Sequence, residues 1–257
     1  MDKNTKTMRA PLVPSLLGGL LAGLLFLGGC NSLPAMLDFR GKAKIDEEAP
    51  AQTLIGQGMD DYNVGKYFTA LEYFNKILDR YPFSNEATLA ELKAADCNYY
   101  MTHYPEAFDL YKQFEERHPT NEAIPYVMFQ KGMTYYMRID RVDRDTSGAL
   151  EAIKLFDQLQ RAYPDTPYST EAQARIKDAK EFLAEHEFAV VQFFMRTEKY
   201  SQAEKRLRYL LAMYPEARVV PQAQNLLSEI EAGTPPDAGI KEWLPSLSSL
   251  QWPDTNE

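Results

Sequence analysis

Histidine and cysteine are scarce: the 257 residues hold three of the first and two of the second. Structural and catalytic metal sites draw on such side chains at short, fixed spacings. His103, His118 and His186 stand at no such spacing from another ligand, and the stretch HEFAV at His186 lacks the second histidine of a helical zinc motif. No nucleophile–base constellation stands out, so no catalytic residue, metal or cofactor is expected. Positive charge is also short. Lys and Arg number 28 against 37 Asp and Glu, a formal net charge of −9, which argues against an electrostatic footprint for nucleic acid. Gly56-x-Gly58 follows no strand and is no phosphate cradle. DRDTSG, residues 143–148, matches the opening half of a calcium loop. The position where Glu would close the coordination sphere holds Lys154. A solvated turn that caps the following helix fits that stretch better.

The first thirty residues are a separate matter. Lys3, Lys6 and Arg9 precede the uncharged, apolar run from Leu12 to Gly28, which ends in Leu27-Gly28-Gly29-Cys30. Small residues at the end of such a run read as a cleaved signal peptide, residues 1–29. An uncleaved membrane helix is the other reading, and the run is about long enough for one. Its glycines and the terminal Cys argue against it. Leu-Gly-Gly-Cys resembles the bacterial lipobox, which makes Cys30 the lipidated first residue of the mature chain. In the rule for such signals, Asn31 rather than Asp at the next position implies the outer membrane. Cys97 is then alone, so no internal disulfide is expected, and its apolar surroundings make it a small buried residue.

What the chain has in quantity is one repeated phrase. GKYFTALEYFNKILDRYPFS begins at residue 65 and EKYSQAEKRLRYLLAMYPEA at residue 198. The phrase occurs four times, anchored on Pro82, Pro119, Pro164 and Pro215, with Ala70, Ala107, Ala152 and Ala203 upstream. Phe74, Tyr111, Phe156 and Leu207 follow those alanines, and Ile77, Phe114, Leu159 and Leu210 come next. Steps of four and three put these residues on one helical face, and the prolines stop the helix. Upstream, Gly58 with Tyr62, Ala95 with Tyr99, and Gly132 with Tyr136 mark a first helix in the same register. The unit resembles the tetratricopeptide repeat, a helix–turn–helix of about 34 residues.

The expected fold is therefore all-α: a right-handed α-solenoid of four helix pairs plus a fifth helix from Pro221 to Ala232, stopped by Gly233. Thr170 to Met195, free of Gly and Pro, reads as one long helix, and the charged RIDRVDRDT stretch as an inserted loop in the third repeat. Residues 30–50 read as a tether, 51–232 as the repeat domain, and 233–257, with Trp243 and Trp252, as a disordered tail. Tyr99-Tyr100, Tyr135-Tyr136 and Phe193-Phe194 are adjacent aromatic pairs. Neighbours on a helix point about 100° apart, so one member can fill a seam while the other lines a groove. Both members as core is the alternative. An exposed set, Tyr62, Tyr100 and Tyr136 among them, would offer a concave aromatic surface to a peptide.

HPTNEAIPYVMFQKGMTYY, DRVDRD at Asp140 to Asp145, YPDTPYSTEA, LAEHEFAVVQFFMRTEKYSQAEKRL and DRYPFSNEA go beyond what the repeat demands. These phrases resemble the BamD family of outer-membrane assembly lipoproteins. The resemblance implies a non-enzymatic scaffold, lipid-anchored at the periplasmic face of the outer membrane. It implies docking of the C-terminal repeats on a POTRA domain of a BamA-like barrel protein, with other assembly lipoproteins as further partners. The N-terminal repeats would receive the C-terminal strand of unfolded barrel substrates, in the groove of Tyr62, Tyr100 and Tyr136. Arg206 would be a partner contact, with Lys205 and Arg208 beside it. A solvated helix face is the alternative for those three. Pro125 stands where the family often has Asp, and the insert at Asp140 to Asp145 is short. A different envelope tetratricopeptide lipoprotein, serving peptidoglycan or envelope integrity, is the competing function.

Overall fold

Prolines and the aromatic residues before them decide where the helices stop. The computed structural model describes residues 48–140 and 145–234, all within the unit that begins at Ile45. The signal peptide, Cys30, most of the tether, the centre of the third-repeat loop and the tail with both tryptophans lie outside the described residues. The described elements are α1 (Ala51–Asn63), α2 (Tyr67–Arg80), α3 (Asn85–Tyr100), α4 (Tyr104–Arg117), α5 (Ile124–Tyr136), α6 (Ser147–Ala162), α7 (Pro167–Arg196), α8 (Tyr200–Met213) and α9 (Val220–Glu231). Every helix packs on the next, and α1 also touches α3 as α5 touches α7. The result is an all-helical, tetratricopeptide-like solenoid.

Each second helix ends alike. Tyr81, His118, Tyr163 and Tyr214 donate their backbone N–H to the carbonyl four residues back, at 2.7–2.9 Å, and the proline that follows has no N–H to extend the ladder. The carbonyls of Tyr81, His118 and Tyr214 then accept the N–H three residues on. In the third copy the Thr166 hydroxyl donates to the Tyr163 carbonyl instead, and Thr166 also caps α7 by accepting from the Ser169 N–H. Three first helices end in one motif. Lys66, His103 and Lys199 donate back to Asp61, Asn98 and Phe194, closing a six-residue loop. The residue before each has a left-handed backbone: Gly65 at φ 79°, Thr102 at 63°, Glu198 at 57°.

The seams are dry. Ala70, Phe74 and Ile77 and their counterparts in all four copies are at most 1% exposed. Across each seam, size is traded. Gly58 faces Phe74, whose ring would lie 2.7 Å from an added Cβ, and Gly132 is pressed just as closely by the Phe156 ring. Ala95 shares a cluster with Tyr111, and Val191 with Leu207. Where the second helix carries an aromatic, the first shrinks to Gly or Ala. Where it carries only Leu, the first grows to Val.

The long helix runs Pro167–Arg196. Its first half buries Ala172 and Ile176 against Phe156 of α6, and its second half buries Val191 and Met195 against α8. Pro125 sits in the first turn of α5, where its missing N–H breaks no helical bond. The last helix begins at Val220, with Pro221 in its first turn.

Candidate functional site

A buried carboxylate holds the first three repeats together. Asp96 on α3 is 0% exposed. Its Oδ1 accepts from the Tyr111 hydroxyl at 2.7 Å and the Tyr126 hydroxyl at 2.8 Å. Its Oδ2 accepts from the Lys93 ammonium at 2.8 Å and the Tyr62 hydroxyl at 3.3 Å. Gln130 donates to the Tyr126 hydroxyl at 2.9 Å. Tyr62 comes from α1, Asp96 and Lys93 from α3, Tyr111 from α4, and Tyr126 and Gln130 from α5. A charge this deep is tolerable only when paired and fully hydrogen-bonded. Burial, and then the Asp96 charge, push the phenols of Tyr62, Tyr111 and Tyr126 well above their ordinary range. All three therefore stay protonated and donate. Sequence reasoning missed this cage. The available signal was Tyr111, a hydroxyl in a seam where the other copies have Phe or Leu.

Beside the cage lies an aromatic cluster. Tyr67 and Tyr100 stack at 4.7 Å, and Tyr62 meets them edge-on at 5.7 and 6.0 Å. Tyr99 packs edge-on to Tyr100 and Tyr104, and Lys93 sits 4.5 Å over the Tyr62 ring. Tyr100 is 45% exposed, and burial pushes the Tyr99 phenol up to about 12. Two of the three groove residues, Tyr62 and Tyr100, are thus brought together. Tyr62 is half-buried, with its hydroxyl engaged inward and its ring packed against the first core cluster. Tyr136 lies apart, against Phe156 at 6.4 Å and Arg175 at 5.4 Å, with its hydroxyl on Asp178. In the other two pairs, Phe193 is 49% exposed beside a half-buried Phe194, while Tyr135 and Tyr136 are both half-buried.

The basic face is on α8, and its three cations differ. Arg208 is spent within the chain, on Glu204 and on Glu231 of α9 at 2.6 Å. Arg206 pairs with Glu187 of α7 at 3.1 Å while its side chain stays 48% exposed. Lys205 is exposed. Tyr209, 43% exposed, follows Lys205 by one turn, and Met213, 54% exposed, follows by another.

The remaining sequence candidates have structural settings. His118 ends α4, and its Nε2 lies 2.9 Å from Glu91, which also takes Arg117 at 2.8 Å. Asp145 accepts the Ser147 hydroxyl at 2.6 Å and the Ser147 N–H at 2.9 Å at the start of α6, and these bonds lower its carboxyl pKa. Lys154 pairs with Glu151. Cys97 is buried, and burial pushes its thiol up to about 12. Among the described residues no cluster of three or more His, Cys, Asp or Glu could hold a metal ion, and no helix is long and apolar enough to cross a membrane.

Helix pairs stacked in series, with aromatic rings surfacing in the first two repeats and cations on the second helix of the fourth, define the class: a tetratricopeptide-like repeat protein. The family profile described as YfiO, outer membrane lipoprotein, matches residues 47–237. An outer membrane protein assembly factor BamD from Pasteurella multocida (strain Pm70) is 28% identical over 193 residues, 71% of this chain and 74% of its own length. Its counterpart from Rickettsia prowazekii (strain Madrid E) is 30% identical over 199 residues, 77% of this chain and 76% of its own. A tetratricopeptide protein of known structure from Thermus thermophilus is 16% identical and covers 71% of this chain and 100% of its own, at a TM-score of 0.39. The chain belongs to the BamD family of outer-membrane lipoproteins.

Proposed function

We propose that this chain is a non-enzymatic scaffold and receptor in the assembly of outer-membrane β-barrel proteins, held at the periplasmic face by lipid on Cys30. Membership of the assembly-factor family over residues 47–237 carries the reading. The relatives are named as assembly factors, which disfavours a role in peptidoglycan or envelope integrity. Two unlike faces divide the work. The rings of Tyr62, Tyr67 and Tyr100 offer stacking surface to an aromatic side chain of an unfolded barrel strand, and Tyr136 extends that contact along the array. The α8 face offers Lys205 and Arg206 to an acidic POTRA surface of a BamA-like protein, with Tyr209 as an apolar centre and Arg208 a lesser contributor.

Truncating a desolvated charge contact costs about 2–5 kcal/mol, so Arg206→Ala is expected to weaken binding of a POTRA fragment by roughly thirtyfold or more. Glu187→Gln is the control: it breaks the same intrachain pair but leaves the cation. Binding lost equally in both variants, or in neither, removes Arg206 from the interface. Photo-crosslinkers at positions 62, 100 and 136 test the other face. A barrel C-terminal peptide that reacts at none of them removes the groove.

A further inference from the structure

The turn that follows each second helix recurs with one position open to solvent. Phe83, Thr120, Asp165 and Glu216 each come directly after the repeat's proline, and all four are exposed. Three are polar, as exposure asks. The first is an aromatic ring at 99% exposure, the highest of any large apolar side chain among the described residues. Its outward direction is built into the turn. Pro82 restrains the backbone before it, and the Tyr81 carbonyl accepts the Ser84 N–H across it at 2.9 Å. A lone apolar residue at a surface needs no explanation. A ring held wholly outside the fold, where the same turn elsewhere carries polar groups, does.

The Tyr81 hydroxyl donates to the Ala49 carbonyl at 3.2 Å, and Ala49 is buried in the first core cluster. The chain therefore enters the repeats against this turn, 19 residues after Cys30. We propose that Phe83 seats in the bilayer that holds the Cys30 lipid, so that the first repeat stands with this turn on the membrane. The inference rests on the reading of Cys30 as the lipidated residue. Nearness to the anchor favours it, because the effective concentration of a tethered site falls as the span to be bridged grows. The charged residues within four positions of Phe83 are Asp79, Arg80 and Glu86. They form no basic patch, so the contact is apolar rather than electrostatic. Asp165 and Glu216 keep the later turns off an anionic surface. Seated this way, the opposite end of the repeat faces away from the lipid. The 14 residues of α2 span about 21 Å, which lifts Tyr67, with the Tyr62 and Tyr100 rings beside it, clear of the membrane.

A single indole reads the contact. With Trp243→Phe and Trp252→Phe in the background, the full mature chain carries Phe83→Trp, Thr120→Trp or Phe68→Trp, the last at the far end of α2, where Phe68 is 60% exposed. Each chain is coupled through the Cys30 thiol to a maleimide lipid in vesicles of phosphatidylethanolamine and phosphatidylglycerol. Cys97 is buried and stays unreacted. Chemical coupling makes the test independent of whether cells acylate Cys30, which mass spectrometry of the chain from a membrane fraction reads separately. Phe83→Trp emission is expected to shift to the blue on coupling. Brominated acyl chains should quench it several-fold more than Thr120→Trp or Phe68→Trp, at low and high salt alike. Equal quenching at all three positions, or quenching at none, overturns the proposal. So does quenching strongest at Phe68→Trp, which reverses the orientation, or quenching at Phe83→Trp that vanishes in high salt. A blue shift without bromine quenching overturns it as well and gives the ring to a protein surface.

Discussion

One hydroxyl separates Tyr111 from its counterparts Phe74 and Phe156, and it ends 2.7 Å from a carboxylate that is 0% exposed. The periodicity placed Tyr111 in a seam correctly. It said nothing of what the hydroxyl would meet, because Asp96 lies fifteen residues away in sequence and two of its other donors, Tyr62 and Tyr126, come from the repeats on either side. The cage has a signature in alkali. Tyr62, Tyr111 and Tyr126 titrate above the ordinary tyrosine value of 10 in the folded chain. Above about pH 10 the unfolded chain loses those protons while the folded chain keeps them. Stability is therefore full below that pH and falls as pH rises through it, by about 1.4 kcal/mol per pH unit for each tyrosine. Cys97, with its thiol raised from 9 to about 12, starts the decline nearer pH 9. Tyr111→Phe should cost about 1–3 kcal/mol at neutral pH, since Asp96 loses a donor, and should flatten the alkaline slope by one tyrosine's share. Urea unfolding from pH 7 to 11.5 measures both, and an unchanged slope would show that Tyr111 is not held protonated.

At the scale of the helix, the small first-helix residues were legible and the turns were not. Gly58 and Gly132 follow from the repeat's register, and the Phe74 and Phe156 rings press on them as that register requires. The left-handed residues carried no comparable mark, because Thr102 and Glu198 stand where Gly65 stands and neither type advertises a positive φ. A β-branched side chain there is strained. Thr102→Gly relieves that strain at the expense of a floppier unfolded chain, and should raise stability by about 0.5–1 kcal/mol in chemical denaturation. A loss would mean that the Thr102 side chain repays its strain. Two glycines give a paired test of the seam. Gly132→Ala should destabilise by about 1–3 kcal/mol, because the Phe156 ring must move. Gly56→Ala, with nothing within 4 Å of the new methyl, should stabilise by about 0.5–1 kcal/mol. Equal effects would show that propensity, not packing, governs both sites.

A repeat array couples each unit only to its neighbours and can open from an end. The long α7 was visible in the sequence as a run without Gly or Pro, but the shift of α8 along it was not, since register along a helix leaves no trace in composition. That shift divides the array unequally. Repeats one to three share a single carboxylate: Asp96 takes Tyr62 from the first and Tyr126 from the third, so neither interface can open without stranding it. Beyond α7 the ties are thinner. Ala223 is the one fully buried residue of α9, and the bridges from Arg208 to Glu231 and from Arg218 to Glu181 are solvent-exposed pairs of little net worth. Native-state hydrogen exchange should therefore show α9 opening first, and α1 through α5 exchanging together at the highest free energy. Asp96→Asn keeps the shape of the cage but breaks its charge pairing with Lys93. It should lower protection across α1, α3, α4 and α5 by a common amount and leave α8 and α9 unchanged. Protection lost in α3 alone would mean that each interface holds independently and that the cage is a local hydrogen-bond site rather than the shared fastening of three repeats.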